Sequence, residues 1–229
     1  VSLTIRPGTV TALVGESGGG KSTVANLIAR FWDVSEGSVT VGGVDVRELD
    51  YADWMKHISI VFQDTNLFKM SVAENVAMYK PGASREEIME ALRQARCEDI
   101  LEKLPNGVDS VIGARGVYLS GGEMQRIALA RAILKDAPIV LLDEATAFAD
   151  AENEYLIQRA LDILLHGKTV LMIAHRLQTI VHADQIIVMQ RGGIAEQGTH
   201  EELMQRQGVY AKMYHEYENS VSWKIGGLA

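Results

Sequence analysis

The stretch VTALVGESGGGKST, residues 10–23, decides the fold of this chain. Its first five residues are apolar and mostly β-branched or small, which is typical of a buried strand. The next eight, Gly15 to Ser22, fit the pattern G-x-x-x-x-G-K-S, and the apolar periodicity of a helix follows. A strand, a glycine-rich turn and a helix in this order predict a loop that encloses phosphate groups.

The residue types in this loop suit phosphate chemistry. Glycines let successive backbone N–H groups turn inward, and the helix that follows adds its positive N-terminal end. Lys21 can reach the β- and γ-phosphates, and the Ser22 hydroxyl can bind Mg²⁺. The alternative is a glycine-rich turn without a ligand. The predicted nucleotide-contacting residues are Gly15, Glu16, Ser17, Gly18, Gly19, Gly20, Lys21, Ser22 and Thr23.

Length and composition exclude several classes of protein. The 229 residues are 47% hydrophobic and 23% charged, which is ordinary for a globular domain. The net charge of −8 argues against a nucleic-acid partner. A single cysteine, Cys97, fits a reducing compartment. No apolar run approaches 18 residues, and the chain opens on a strand pattern at Val1 without an initiator Met, so we expect it to be cut from a larger protein.

Apolar runs and helical patterns alternate along the chain, which predicts an α/β fold with a mostly parallel sheet. Glycines 42 and 43 predict a hairpin in an antiparallel β subdomain. The segment 64–137 is mostly helical in pattern, with a capping box predicted at Ser84-Arg85-Glu86-Glu87, and predicts an inserted helical subdomain. We therefore expect a core with its β subdomain at 1–63 and 138–206, and a C-terminal helix and tail at 207–229.

An acidic pair follows the apolar run at residues 139–142. A buried strand that delivers an acid to Mg²⁺ is the expected companion of a phosphate loop, so Asp143 is the candidate metal ligand. Glu144 is one residue further on, points elsewhere, and is the candidate general base. Such pairs are also common as helix caps, which is the alternative interpretation.

The segment LSGGEMQR, residues 119–126, resembles the LSGGQ signature of the ABC ATPases. This resemblance implies a RecA-like core of the P-loop NTPase class. It also implies that Ser120, Gly121, Gly122 and Glu123 cover the γ-phosphate of ATP held by a second subunit, which makes two composite sites in a head-to-tail dimer.

Other elements of that family occur in order and nearly span the chain. Gln63 matches the Q-loop glutamine, which in the family contacts Mg²⁺ and water. Asp150 matches the D-loop aspartate, and His175 matches the switch histidine that contacts the γ-phosphate. The resemblance thus implies that Lys21, Gln63, Glu144 and His175 are catalytic.

Residues 113–116, before the signature, and residues 195–203 are similar to segments of the exporter-type subfamily, whose halves join a membrane domain to this kind of domain. This resemblance implies that a transmembrane domain is missing on the N-terminal side of Val1. Four positions depart from the subfamily's pattern: Ala114 replaces a glutamate, Glu123 replaces the signature glutamine, and Phe148 and Ala149 differ from the usual D-loop. The segment 146–154 resembles the siderophore-uptake branch. The adenine-stacking aromatic of the family lies upstream of Val1.

The resemblance implies binding and hydrolysis of ATP with Mg²⁺ on the cytoplasmic side of a membrane. The implied partners are a second nucleotide-binding domain, identical or paralogous, and the coupling helices of a membrane domain. Two alternatives are a soluble ABC ATPase of DNA repair or translation, and a plain P-loop kinase or GTPase. The second leaves residues 119–126 unexplained. Substrate and direction of transport stay open.

Overall fold

The structure is a computed structural model of the chain. It describes residues 1–62, 66–113, 116–143, 151–174 and 176–226, apart from the side chains of 151, 152 and 220–226. Two compact units divide the chain: Val1–Trp54 with Thr169–Ala229 is the first, and Met55–Lys168 is the second.

Strands and helices are numbered along the chain. The described strands are β1 (Val10–Gly15), β2 (Thr40–Val41), β3 (Val44–Asp45), β4 (Ile58–Val61), β5 (Met70–Ser71), β6 (Val111–Ile112), β7 (Ile139–Asp143), β8 (Thr169–Ile173), β9 (Gln185–Gln190) and β10 (Gly193–Gly198). The described helices are α1 (Lys21–Ile28), α2 (Tyr51–Lys56), α3 (Val72–Ala77), α4 (Arg85–Gln94), α5 (Glu98–Lys103), α6 (Gly121–Lys135), α7 (Ala151–Leu165), α8 (His200–Arg206) and α9 (Val209–Gly226). None of these described helices has the length and hydropathy needed to cross a membrane.

The first unit is built around β1. Its strands run in the order β10-β9-β1-β8, and β1 is parallel to both neighbours. At the edge, β10 pairs antiparallel with β9. Ala12, Leu13 and Val14 are completely buried, which explains why β1 reads as a continuous apolar run.

The predicted hairpin is also in the first unit. Strands β2 and β3 pair antiparallel, with Thr40 opposite Asp45 and Val41 opposite Val44. The two turn residues, Gly42 and Gly43, both have positive φ, at 59° and 85°. Two consecutive positive φ values suit the twist of a hairpin and favour glycine at both positions. The sequence prediction of an antiparallel β element is confirmed.

The second unit centres on the long helix α6, which packs against α3, α4 and α7. Strand β4 pairs parallel with β7, from Ile58 opposite Ile139 to Val61 opposite Leu142. The predicted capping box at Ser84 is present: its hydroxyl accepts from the Glu87 N–H, and the Glu87 carboxylate accepts from the Ser84 N–H.

Helices alternate with strands that are mostly parallel, which confirms the α/β class predicted from the sequence. The two compact units place β4, β7 and α7 with the helices of residues 64–137. The motif-based division into core, helical subdomain and C-terminal tail groups these elements differently, and it stays a prediction.

A buried arginine ties α5 to α6. Arg126 is 1% exposed, and its guanidinium donates to both carboxylate oxygens of Asp99, at 2.6 and 2.9 Å. It also donates to the carbonyl of Arg96, just before α5. The buried cation thus depends on Asp99 for its neutralisation, since a buried charge without a partner is costly.

The end of β1 is pressed against β9. Gly15 is opposite Met189 in the parallel ladder, and its φ is +136°. A Cβ at this position would lie 2.0 Å from the Met189 carbonyl oxygen, far inside van der Waals contact. A Cβ on Gly19 would lie 3.0 Å from the Glu16 carbonyl oxygen and 3.3 Å from that of Met189. The loop after β1 therefore packs against the β9 backbone with no room for a side chain at Gly15.

We expect Asp99→Asn to lower the free energy of unfolding by about 2–3 kcal/mol, because Arg126 then keeps its charge in the interior without a carboxylate. Asp109→Asn is the matched control. Asp109 makes the same two-oxygen contact, but with the exposed Arg85, so we expect almost no change. Urea unfolding of the three chains measures both effects, and equal losses would contradict the assignment.

The Asp99–Arg126 pair also makes the stability of the protein depend on pH. The hydrogen bonds from Arg126 hold the pKa of Asp99 below its usual value. The stabilisation is complete above the unfolded-state pKa, about 4. It is lost as pH falls through the lower folded-state pKa, so the gap between wild type and Asp99→Asn narrows in acid.

We expect Gly15→Ala to destabilise the first unit by more than about 3 kcal/mol, since its Cβ meets the Met189 carbonyl and the β1–β9 ladder must move apart. Gly8→Ala is the control. Gly8 also has positive φ, +69°, but no described atom lies within 4 Å of the added carbon, so only the backbone cost of about 1–2 kcal/mol applies. Thermal unfolding checks both, and similar losses would show that the close approach has no cost of its own.

Candidate functional site

The loop between β1 and α1 presents backbone N–H groups. Gly20 is the residue before α1 and has φ +98°, a conformation that glycine adopts at low cost. It provides no side-chain cap, and the first turn of α1 contains no acidic residue. The N–H groups of a helix's first turn lack acceptors within the helix, so this end is suited to an anion.

Lys21 is the first residue of α1, and it is 5% exposed. Its ammonium donates to the carbonyl oxygens of Gly15 at 2.8 Å and Glu16 at 2.9 Å. The Lys21 ammonium therefore lies against the loop that precedes α1. A phosphate held by this loop would be close to that positive charge.

The other side chains of this loop face solvent. Glu16, Ser17, Ser22 and Thr23 are exposed, whereas Gly19 is buried. The Ser22 hydroxyl thus sits accessible at the N-terminal end of α1, next in sequence to the buried Lys21. The structure brings the predicted phosphate-contacting residues 15–23 together in the first unit.

The predicted signature residues surround the start of α6 in the second unit. Ser120 caps the helix: its hydroxyl accepts from the Glu123 N–H at 3.3 Å, and its own N–H donates to the Glu123 carboxylate at 2.8 Å. The N–H groups of Gly121 and Gly122 lie in the first turn, where no carbonyl of the helix can accept them. This end of α6 is a second place suited to an anion.

Gly122 is required by close packing. A Cβ there would lie 2.8 Å from Cγ of Asn153, in the first turn of α7. The start of α6 is thus in contact with the helix that follows residues 144–150.

Asp143 is the last residue of β7 and is partly buried. The four residues before it, Ile139 to Leu142, fix it at the carboxyl end of a strand, as predicted. Gln63, Glu144, Asp150 and His175 lie outside the described residues, as do Ala114, Phe148 and Ala149. Their predicted roles stay predictions.

Sequence reasoning missed three partners of these motifs. Met189 presses its carbonyl on Gly15, Asn153 contacts Gly122, and Lys103 donates to Glu123 at 3.1 Å. Each is far away in sequence from the residue it contacts. Spacing and local pattern carry no signal for such pairs, so an analysis of one sequence could not find them.

The residues that are present fit a magnesium-bound nucleoside triphosphate. The turn at residues 15–20 packs so closely against the β9 backbone that added side chains would fill the space between them. The buried Lys21 amine lies at that turn. A serine hydroxyl and an aspartate carboxylate are oxygen ligands of the kind that Mg²⁺ prefers.

The sequence profile of the ABC transporter family matches residues 1–147. The chain is 53% identical over 214 residues to the mycobactin import ATP-binding/permease protein IrtA of Mycolicibacterium thermoresistibile. It is 49% identical, also over 214 residues, to the ATP-dependent lipid A-core flippase of Legionella pneumophila strain Lens. Each match covers 93% of this chain, but only 24% and 36% of the relative.

A solved structure is also similar. It is a bacterial Atm1-family ABC exporter with ATP bound, with a TM-score of 0.86 and 40% identity. The match covers 93% of this chain and 37% of that one, so this chain spans about a quarter to a third of the proteins it resembles. Its 229 residues belong to the ABC transporter family, as an exporter-type ATP-binding domain with the ATPase activity of that family.

Proposed function

We propose that this domain drives transport by closing around two molecules of Mg-ATP with a second nucleotide-binding domain. The carrying observation is the position of Lys21: its ammonium lies 2.8 and 2.9 Å from two carbonyls of the loop whose N–H groups would hold phosphate. A nucleoside triphosphate bound there exchanges these carbonyl contacts for phosphate oxygens, which attract an ammonium more strongly.

Residues 15–23 bind the triphosphate in this proposal. Ser22, Gln63 and Asp143 would hold Mg²⁺, and the ion would neutralise charge on the phosphate oxygens. Glu144 accepts a proton from the attacking water, and His175 contacts the γ-phosphate.

The signature residues act on the other subunit. Ser120, Gly121, Gly122 and Glu123 close over the γ-phosphate of the ATP that the partner's phosphate loop holds. The N–H groups of the first turn of α6 make this end attractive to that charge. Asp150, which matches the D-loop aspartate by resemblance, contributes to nucleotide binding in this proposal. The partner is a second copy of the chain or a paralogue.

The second unit offers a docking place for a membrane domain. A groove of about 220 Å³ is lined by residues of β4 and α6, together with Asn66 and three aromatic side chains. Phe62, Phe68 and Tyr79 are each about half exposed. Exposed aromatic side chains around a groove are typical of a site that receives a helix. We assign this groove to a coupling helix of the membrane domain, which puts the chain on the cytoplasmic face of the membrane.

Uptake of an iron chelate is a second candidate for the transport step. The observation that favours it is the similarity, at 52–53% identity, to three proteins named as mycobactin importers. The similarity to lipid A-core flippases, at 48–50%, favours movement of a lipid.

Mixing two defective chains tests the composite site. Lys21→Met removes the phosphate-loop cation, and Ser120→Arg blocks the signature. In a head-to-tail dimer of one of each, both defects fall in one site and the other site is intact. A 1:1 mixture should therefore regain up to about a quarter of wild-type turnover, since half of the dimers are mixed and each has one good site of two.

The control for this experiment is Ser84→Arg, which removes the equivalent cap from α4, where no phosphate role is proposed. It should hydrolyse ATP like the wild type. A Ser120→Arg chain with wild-type turnover, or a mixture no more active than its separate components, would contradict the composite site.

A further inference from the structure

The signature of this chain carries a negative charge at its start. Glu123 lies in the first turn of α6, and its side chain is only 14% exposed. Partial burial raises the pKa of this carboxyl, but hydrogen bonds from the Ser120 N–H, from Lys103 and from the Ser120 hydroxyl outweigh it and lower the pKa. Glu123 is therefore ionised at neutral pH.

An ionised carboxylate here opposes the proposed use of this helix end. The positive end of a helix stabilises an anion within its first turn. A carboxylate in the same turn already interacts with this positive end. A triphosphate brought to Ser120 and Gly121 by a second subunit would also meet the like charge of Glu123. The start of α1 has no such conflict, because its first turn contains no acidic residue.

Lys103 neutralises this carboxylate. Its Nζ lies 3.1 Å from Oε1 of Glu123, and this contact raises the pKa of the lysine. Its other acidic neighbour, Asp99, is 3.8 Å away and already accepts two hydrogen bonds from Arg126. Lys103 ends α5, the helix that Asp99 fastens to α6, so the backbone that carries its ammonium is held beside Glu123.

We propose that Lys103 is a positioning residue of the signature segment: it holds the Glu123 carboxylate in the capping box and cancels its charge, so that the start of α6 can receive the partner's triphosphate. This inference rests on the proposed composite site. Lys103 acts through Glu123 and makes no contact with nucleotide itself.

The chain contains a matched arrangement with no proposed phosphate role. At the start of α4, Lys80 donates to Glu87 at 2.8 Å, and Glu87 completes the capping box of Ser84. Lysine, N-terminal serine and third-position glutamate have the same relation as in α6. Loss of Lys80 therefore removes the same kind of lysine–glutamate contact from a capping box, without the proposed effect on phosphate.

The test is a double-mutant cycle on ATP hydrolysis by the purified chain. We expect Lys103→Met to lower kcat/KM roughly three- to tenfold, the size of a charge effect at a helix end. In the Glu123→Gln background the same substitution should change kcat/KM by less than about twofold, since no charge remains to be cancelled. Lys103→Arg should stay near wild type, and Lys80→Met should change kcat/KM by less than about twofold.

Mg-ATP affinity of the dilute chain is the second readout. It should be the same for wild type and Lys103→Met, since the phosphate loop of each chain is intact and the defect concerns the partner's nucleotide. Equal losses in the wild-type and Glu123→Gln backgrounds, or no loss in either, would overturn the role of Lys103 and leave the proposed function standing. A wild-type chain that neither binds nor hydrolyses Mg-ATP would overturn the proposed function and this inference with it.

Discussion

The close approach of Gly15 to the Met189 carbonyl is the constraint on which the site depends. Parallel pairing of β1 and β9 brings two backbones together where β1 ends, and a Cβ on Gly15 would be 2.0 Å from that oxygen. The residue at the end of β1 must therefore be a glycine. The glycine-rich loop follows it and leads to α1. This path buries the Lys21 ammonium against the loop carbonyls and presents the first-turn N–H groups of α1. A phosphate site follows from the packing of the sheet as much as from the motif itself.

The N-terminus of α6 is also fixed by close packing, but its first turn differs from that of α1 in charge. Gly122 lies against Asn153 with no room for a side chain, so close packing again fixes a helix N-terminus. Here, however, the first turn contains an acid, and the helix is held by two charged contacts from α5. In one contact the half-exposed Asp99 neutralises the buried Arg126. In the other, the exposed Lys103 neutralises the largely buried Glu123. The two contacts have different physical roles, although both join the same pair of helices.

Local patterns in the sequence predicted much of this arrangement. The apolar run of β1, the glycine pair of the hairpin and the capping box at Ser84 depend on neighbouring residues, and each is present in the structure. The partners supplied by Met189, Asn153 and Lys103 depend on folding over long sequence distances, so no local pattern signals them. The roles of Gln63, Glu144, Asp150 and His175 rest on resemblance alone and stay predictions.

Calorimetric titration of Mg-ATP into the dilute chain tests the central claim most directly. We expect saturable binding by the wild type that weakens at least about tenfold in Lys21→Met, because the loop loses the buried cation that faces the phosphates. Equal affinity of the two chains would contradict it, since the triphosphate would then be held somewhere other than the loop at the end of β1.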